Sequence, residues 1–539
     1  MIARSLVLLN ELPIFFLDLQ TTGSKPGVAH ILEMAFSYPH TDTQSFLVEQ
    51  PEGQEVPRRI QMITGIKTSD MDQALSFPEA MNKLIHFSKP YCVIHFAQFE
   101  RPFIQAAFEA LKREAPFTII CTHDISKRLL PNLPTRGIKG LAGYFGYDAG
   151  ELKRAASHVE ATKSIWTQLI KTLKNDKDIS SLEELNNWLI ETPKVKRSKY
   201  EYPLPKEKRL TLPDVPGIYR MLNFQGEVLY VGKATSLKSR VNSYFRGQKN
   251  RDSRKLEMLT QVWDLDVSPC STPLEAALME TDEIKRLNPR YNISLKVGRR
   301  QLVFFDREFE SMTNVLDDEH AIGPFSNAMV FESMMAISQY FKHRHSMNDL
   351  PPEDIFFEVL EPQFIKDGLE IFCERHNFSS ETLSSMRKIL CVGILWARRE
   401  KTLNVDDVEE EEVEVTEEIE ISAEEAVEEI EEVMTTNDLA DKIERHFKRI
   451  GKAYLRARKI NRLLNADVDY KILNQDTRHI QIRDGNILGP TTTCAAKNTW
   501  QDHSIETYDR MTVLLTELER VKTQRGEYQI HYKDWHFSQ

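Results

Sequence analysis

The run Gly217-Ile218-Tyr219-Arg220-Met221-Leu222-Asn223-Phe224-Gln225-Gly226-Glu227-Val228-Leu229-Tyr230-Val231-Gly232-Lys233 decides how this chain is read. Two apolar and aromatic stretches flank Asn223 to Gly226, residue types that suit a tight turn, so the run predicts a β-hairpin. Tyr219 and Tyr230 stand eleven residues apart, a spacing that brings both phenols near one surface. A helical stretch with Arg240, Tyr244 and Arg246 follows. A second carries Glu275 and Glu280 and ends at Asn288-Pro289-Arg290-Tyr291-Asn292. On that second helix Leu274, Ala277, Leu278 and Ile284 form an apolar stripe, the mark of a helix with one buried face. The whole predicts a compact α/β unit over about 212–295. Taken singly, hairpin tyrosines pack and helix glutamates are solvated; seven such elements in this order are not explained that way.

Beyond this unit, 539 residues suffice for about three independent cores at roughly 150 residues each. Hydrophobic residues at 41% and charged residues at 28% are ordinary for a globular protein. A net charge of −11 argues against a nucleic-acid partner until the charge is located. Sixteen acids and no Lys or Arg lie between Asp406 and Glu432; without them 65 acids face 70 bases. Downstream, Asp441 to Leu464 holds nine bases and two acids, with Ile443, Phe447, Ile450, Tyr454 and Leu455 at helical spacing. This predicts a basic amphipathic helix that either contacts DNA phosphates or pairs with the acidic tract. Six cysteines without metal-ligand spacing read as free thiols. No apolar run approaches the ~18 residues of a membrane span, and no signal-peptide core is evident. The expectation is a soluble cytoplasmic protein with no membrane partner and no small-molecule substrate.

The elements of 212–295 resemble the GIY-YIG nuclease domain, in the version found in excinuclease C and the shorter Cho-type endonucleases. That resemblance implies a metal-dependent phosphodiester hydrolase with catalytic residues Tyr219, Tyr230, Lys233, Arg240, Tyr244, Glu280 and Asn292. One divalent ion, Mg²⁺ or Mn²⁺, would be held by Glu280, since Mg²⁺ keeps several waters and one carboxylate can suffice. Tyr230 would relay the proton of the attacking water, with Tyr219 and Lys233 beside it. Arg240 would grip the scissile phosphate through paired hydrogen bonds, Tyr244 would line the same face, and Asn292 would order the outer shell of the metal. Residues 194–300 hold 22 bases against 12 acids. Among them Arg246, Arg254, Lys255, Lys285 and Arg290 are expected to contact the DNA backbone.

A second stretch, 14–170, resembles the DnaQ-type DEDDh exonucleases, polymerase III epsilon-like, of ribonuclease-H-like fold. Asp18-Leu19-Gln20-Thr21-Thr22-Gly23 after an apolar strand resembles the first motif of that family. His95-Phe96-Ala97-Gln98-Phe99-Glu100 resembles the second, and Lys153-Arg154-Ala155 with His158 and Glu160-Ala161-Thr162 the third. Such exonucleases clamp two metal ions with four carboxylates and use a histidine base. Here the positions are Asp18, Gln20, Glu100, Lys153 in place of the histidine, and His158 in place of the last aspartate. Two of four charges are gone, which implies a non-catalytic domain; the alternative is residual activity that recruits Glu33 or Glu160.

The fold expected is α/β multidomain: a ribonuclease-H-like exonuclease fold, a small GIY-YIG domain, then a mostly helical C-terminal region with an acidic linker. The boundaries predicted are 12–175 for the first domain, 176–210 for a helix and basic linker, and 211–296 for the nuclease. A mixed, mostly helical region follows over 297–404, then the acidic linker over 405–434 and a basic helix with a small α+β tail over 435–539. Gln301-Leu302-Val303-Phe304-Phe305 reads as a core strand. Gly323-Pro324-Phe325-Ser326 resembles the short element that follows the nuclease domain in the excinuclease family. The function implied is nicking of one strand of damaged or distorted double-stranded DNA in nucleotide excision repair, with the excision-repair helicase–DNA complex as a partner. The competing reading is a polymerase-associated 3′→5′ exonuclease or a non-catalytic DNA-binding accessory that uses the N-terminal domain.

Overall fold

The computed structural model describes residues 7–51, 53–150, 152–193, 200–246, 252–292, 301–342, 354–355, 358–359, 361–403, 435–472, 475–488, 504–523 and 525–533. The acidic linker 405–434 lies outside the described residues, as does 194–199 of the basic linker.

The N-terminal unit is built on strands β1 Ile14–Thr21, β2 Ile31–Ser37, β3 Gln44–Leu47, β4 Tyr91–Ile94 and β5 Thr118–Cys121. They form a five-stranded sheet of order β3-β2-β1-β4-β5. β2 runs antiparallel to β1 and β3, while β4 lies parallel to both β1 and β5. Alternation along β1 sends Ile14 and Phe16 to one face and Phe15, Leu17 and Leu19 to the other. The first face packs under helix Ala155–Lys177 through Val159, Ile165, Trp166 and Leu169. The second packs on helices Phe77–Phe87 and Ala97–Ala110. Asp18 shares the parity of Phe16 and so faces the start of Ala155–Lys177.

Helix Leu182–Glu191, expected as part of a linker, belongs to this unit. Ser181 accepts a hydrogen bond from the Glu184 N–H at 3.2 Å and the Glu184 carboxylate accepts from Ser181 N–H at 2.9 Å, a capping box. Leu185 is buried and Trp188 and Leu189 pack on the same core. The unit therefore extends some 15 residues past the predicted boundary at 175.

The second unit is a three-stranded antiparallel sheet of order β7-β6-β8, with β6 Gly217–Leu222, β7 Val228–Ala234 and β8 Asp264–Pro269. Asn223 closes the hairpin, its side-chain oxygen accepting from the N–H groups of Gln225 and Glu227, and Gly226 takes the left-handed φ of 83° the turn needs. Helix Pro273–Leu287, here the carboxylate helix, starts on a Thr272 cap with Pro273 at its first position and stops at Asn288 with φ 44°.

Two further cores make up the C-terminal part. In the first, Phe305, Phe325, Phe331 and Phe372 surround Leu439, Ile443, Phe447 and Ile450 of the 28-residue helix Thr436–Leu463. Most of the predicted basic amphipathic helix is thus shared with residues 301–403, across the predicted division between those regions. Val303, Phe304 and Phe305 form a buried strand. In the second core, Ile460 and Leu463 join a four-stranded sheet (Ala466–Lys471, Arg478–Arg483, Asn486–Leu488, Glu527–Tyr532) and the C-terminal helix Ser504–Thr523. That core also takes Leu274 and Leu278 of the carboxylate helix. Among the described residues no helix is long and apolar enough to cross a membrane.

Candidate active site

Two glycines let the tyrosine pair form. A Cβ on Gly232 would lie 2.5 Å from Tyr219 Cζ and 2.9 Å from Tyr230 Cε1, because Gly232 sits opposite Tyr219 across the β6–β7 ladder. A Cβ on Gly217 would lie 2.5 Å from the Ser268 carbonyl oxygen of β8. The Tyr219 ring is fully buried, its hydroxyl 2.9 Å from that of Tyr244, and its centroid is 6.2 Å from Tyr230 and 6.0 Å from Tyr244. Arg240 stands on helix Leu237–Ser243, exposed, with its guanidinium 5.5 Å from the Tyr244 ring centroid. Three phenols and one guanidinium therefore share a single face.

On the same side, Glu280 Oε1 accepts the main-chain N–H of Lys233 at 2.8 Å, which ties the carboxylate helix to the end of β7. Burial pushes the Glu280 carboxyl above its ordinary range; Lys233 and Arg240 pull it down, and Glu517 pushes it further up. Burial likewise holds Tyr219 and Tyr230 well above the usual phenol value, and Tyr244 adds to both, with Arg240 opposing. Tyr230 is therefore a neutral phenol, able to donate a proton or pass one on, and not a standing base.

A hard divalent cation fits the donors present. Glu280 supplies one half-buried carboxylate, and among the described residues no three His, Cys, Asp or Glu side chains form a metal cluster. That is the donor set of an ion held by one carboxylate and otherwise by water and phosphate oxygens.

Asn292 is tied to the hairpin. Its side-chain oxygen accepts the Val231 N–H and its amide donates to the Val231 carbonyl, both at 2.9 Å, with the residue buried. Asn292 thus fixes the strand that carries Tyr230. Two expected DNA contacts are also redirected. Lys285 is largely covered, its side chain 9% exposed, and is paired with Asp509 of the C-terminal helix at 2.8 Å. Arg290 is paired with Asp148 of the N-terminal unit. Arg246 and Lys255 are exposed, and Arg254 lies half-buried with its guanidinium 6.0 Å from the Tyr291 ring centroid. The residue that sequence reasoning missed is Glu517, whose carboxylate accepts from Lys233 Nζ. Nothing local in the sequence pairs positions 284 apart.

The N-terminal pocket has a different electrostatic plan. Asp18 is buried, its Oδ1 3.2 Å from His158 Nδ1 and its Oδ2 accepting from Gln20 Nε2 at 3.1 Å. His158 Nε2 lies 3.1 Å from the Leu152 carbonyl oxygen, so the ring donates from both nitrogens when protonated. Burial opposes that charge, but Asp18 and its hydrogen bond win and hold the imidazole at about 9. An imidazolium thus sits where the carboxylates of an exonuclease would face a metal. Burial, with Asp18 second, drives the Glu100 carboxyl well up, and one of its oxygens has no hydrogen-bond partner. Lys153 stands in the irregular stretch before Ala155–Lys177. Neither spare carboxylate is free for recruitment. Glu33 accepts from Arg154 (3.0 and 2.8 Å), Ser45 and the Ala155 N–H, and Glu160 bonds Thr43 and Lys163. Among the described residues, these side chains form no cluster of three His, Cys, Asp or Glu that could hold a metal ion.

The two units are joined along helix Ile138–Tyr144. A Cβ on Gly140 would lie 3.6 Å from Glu257 Cγ, and one on Gly143 would lie 2.4 Å from Gln261 Cδ of helix Ser253–Gln261. Gln261 and Glu257 are in turn bonded to the Tyr291 hydroxyl at 2.5 and 2.6 Å. Tyr144 packs on Trp263, with ring centroids 5.6 Å apart.

Comparison with known proteins places these units. The model of the UvrC-like GIY-YIG domain matches residues 215–293, and that of the exonuclease family matches residues 15–154. The UvrABC system protein C of Salinibacter ruber is 35% identical over 156 residues, 28% of this chain and 25% of that protein. A Mycobacterium tuberculosis protein described as a candidate bifunctional exonuclease/endonuclease is 28% identical over 278 residues, 50% of this chain and 42% of its own. The GIY-YIG N-terminal endonuclease domain of UvrC from Thermotoga maritima, crystallised with its catalytic magnesium, is similar at 28% identity. It covers 16% of this chain and 94% of that domain, with a TM-score of 0.15. The chain thus spans about a quarter of the length of the UvrC relative and under half of the mycobacterial protein. It carries an exonuclease domain of ribonuclease-H-like fold followed by a UvrC-like GIY-YIG nuclease domain.

Proposed function

We infer that the chain is a divalent-metal-dependent DNA endonuclease that cuts one strand of a damaged or distorted duplex, as in nucleotide excision repair. The observation that carries this reading is the single face shared by Tyr219, Tyr230, Tyr244 and Arg240, with Lys233 and Glu280 beside it. Arg240, exposed and stacked over Tyr244, is disposed to take two oxygens of a phosphate. Tyr230 passes a proton between the attacking water and solvent, and the buried Tyr219–Tyr244 pair sets its position. Glu280 would hold one Mg²⁺ or Mn²⁺, which supplies charge neutralisation at the phosphoryl oxygens and a more acidic bound water. The UvrC resemblance supports the excision-repair setting and an excision-repair helicase as the partner that delivers DNA. The N-terminal unit in this reading is a non-catalytic platform docked through Gly140 and Gly143, as its Asp18–His158 pair suggests.

The test is nicking of a duplex with one defined bulky lesion, with and without the excision-repair helicase. Nicking should require divalent metal and fall by at least about 100-fold in Glu280→Ala and Tyr230→Phe. Undiminished nicking by both variants would refute the site.

A further inference from the structure

The carboxylate helix and the C-terminal helix lie against each other in antiparallel order. Lys285 pairs with Asp509 and Asp282 with Arg510, both at 2.8 Å, while Leu274 and Leu278 share a core with Leu514, Leu515 and Leu518. This packing delivers Glu517 to the end of β7. Its side chain is 6% exposed, and Oε1 accepts from Lys233 Nζ at 2.5 Å and from Arg520 at 2.8 Å. Lys233 thereby meets a carboxylate at each end: Glu280 at its main-chain N–H and Glu517 at its ammonium.

A buried Lys–Glu pair adds little stability that an apolar pair of similar volume would not supply. Its effect on local charge is another matter. Glu517 occupies the Lys233 ammonium that would otherwise be free to oppose a cation at Glu280, and it places a second negative charge near that position.

We propose that Glu517 is a positioning residue of the nuclease site, contributed from the C-terminal helix, which holds Lys233 in place and strengthens the hold of the site on its cation. Lys233, Arg240 and Arg520 surround the two carboxylates, so Glu517 weakens the pull of the metal-free site on DNA phosphate without reversing it. The C-terminal helix thereby becomes part of the nuclease site. This inference rests on the reading of Glu280 as the metal carboxylate.

The experiment uses the full chain and measures Mn²⁺ binding without DNA, by electron paramagnetic resonance, and DNA binding in EDTA. Glu517→Gln keeps the shape and removes the charge. It should weaken Mn²⁺ binding by about ten-fold, given the Coulomb interaction expected at this depth, and tighten metal-free DNA binding several-fold. Asp509→Asn, which loosens the same helix pair away from the site, should lower the melting temperature with both affinities kept within two-fold. Equal Mn²⁺ affinity in Glu517→Gln and the wild type, or a loss matched by Asp509→Asn, would overturn the proposal. Glu280→Gln separates the two claims. If it leaves Mn²⁺ binding intact, the metal-site reading fails; if it abolishes binding while Glu517→Gln changes nothing, only the role of Glu517 fails.

Discussion

Replacing His158 by glutamine should make the N-terminal unit lose a stabilisation that depends on pH in a defined direction. The imidazole is held at about 9 in the folded chain against 6.5 for the free group, with burial opposing and Asp18 prevailing. A histidine raised in the folded state stabilises fully below 6.5, and that contribution is lost as pH rises through 9. Held at about 9 against 6.5, the imidazole contributes roughly 3 kcal/mol at about 1.36 kcal/mol per pH unit. With 22% of its side chain exposed, His158 is shielded enough for most of this to survive solvent screening. Glutamine is neutral at every pH and can still donate to Asp18, so the gap between wild type and His158→Gln isolates the charge. For a unit of this size the gap should be roughly 6–12 °C in melting temperature at pH 6 and close to nothing at pH 10. Scanning calorimetry of both full chains identifies the relevant transition as the one His158→Gln moves. Tyrosine and lysine ionisation near pH 10 affects both chains and cancels in the difference. A gap of constant size from pH 6 to 10 would refute the ion pair, and a rise in this transition on adding Mn²⁺ at neutral pH would refute the metal-free reading of the pocket.

Three glycines offer sharper steric tests. Gly232→Ala forces a methyl into the Tyr219 phenol and the Tyr230 ring, so nicking should drop by about 100-fold while the melting temperature falls by only a few degrees. Gly451→Ala places a Cβ 2.2 Å from the Gly393 carbonyl oxygen at the crossing of helices Met386–Leu403 and Thr436–Leu463; since the obstacle is backbone, urea denaturation should show a loss of about 1–3 kcal/mol. Gly143→Leu should push Gln261 off Tyr291 and separate the N-terminal and nuclease units, read as faster hydrogen exchange in Ser253–Gln261 with the β1–β5 sheet still protected.

Much of the candidate site is legible in the sequence because it is local. The alternation around Tyr219 and Tyr230, the turn at Asn223 to Gly226 and the Thr272-Pro273 start of the carboxylate helix all act within a few residues, where backbone sterics and capping decide the outcome. The same holds for β1 with Asp18 and for the strand Val303–Phe305. The stretch 176–210 reads as a helix and basic linker, and because the apolar face of Leu182–Glu191 is short its order of residues does not show that Leu185, Trp188 and Leu189 join the core of the N-terminal unit.

The order of residues, through the resemblance it carries, names the candidates for phosphodiester hydrolysis: phenols, a guanidinium and a carboxylate on a hairpin and two helices. It also shows that the N-terminal carboxylate set is depleted. Where the charges are spent is a property of the tertiary packing and cannot be read from the order of residues. Lys285 and Arg290 are identical in type to the exposed Arg246 and Lys255, yet they face Asp509 and Asp148 instead of solvent. The cause is packing: Leu274 and Leu278 bury against a helix more than 200 residues downstream, and that contact carries Asp509 and Glu517 to the nuclease face. Apolar stripes announce that a face will be buried, but the hydrophobic effect is non-directional, so the partner is chosen by the shape of the whole fold.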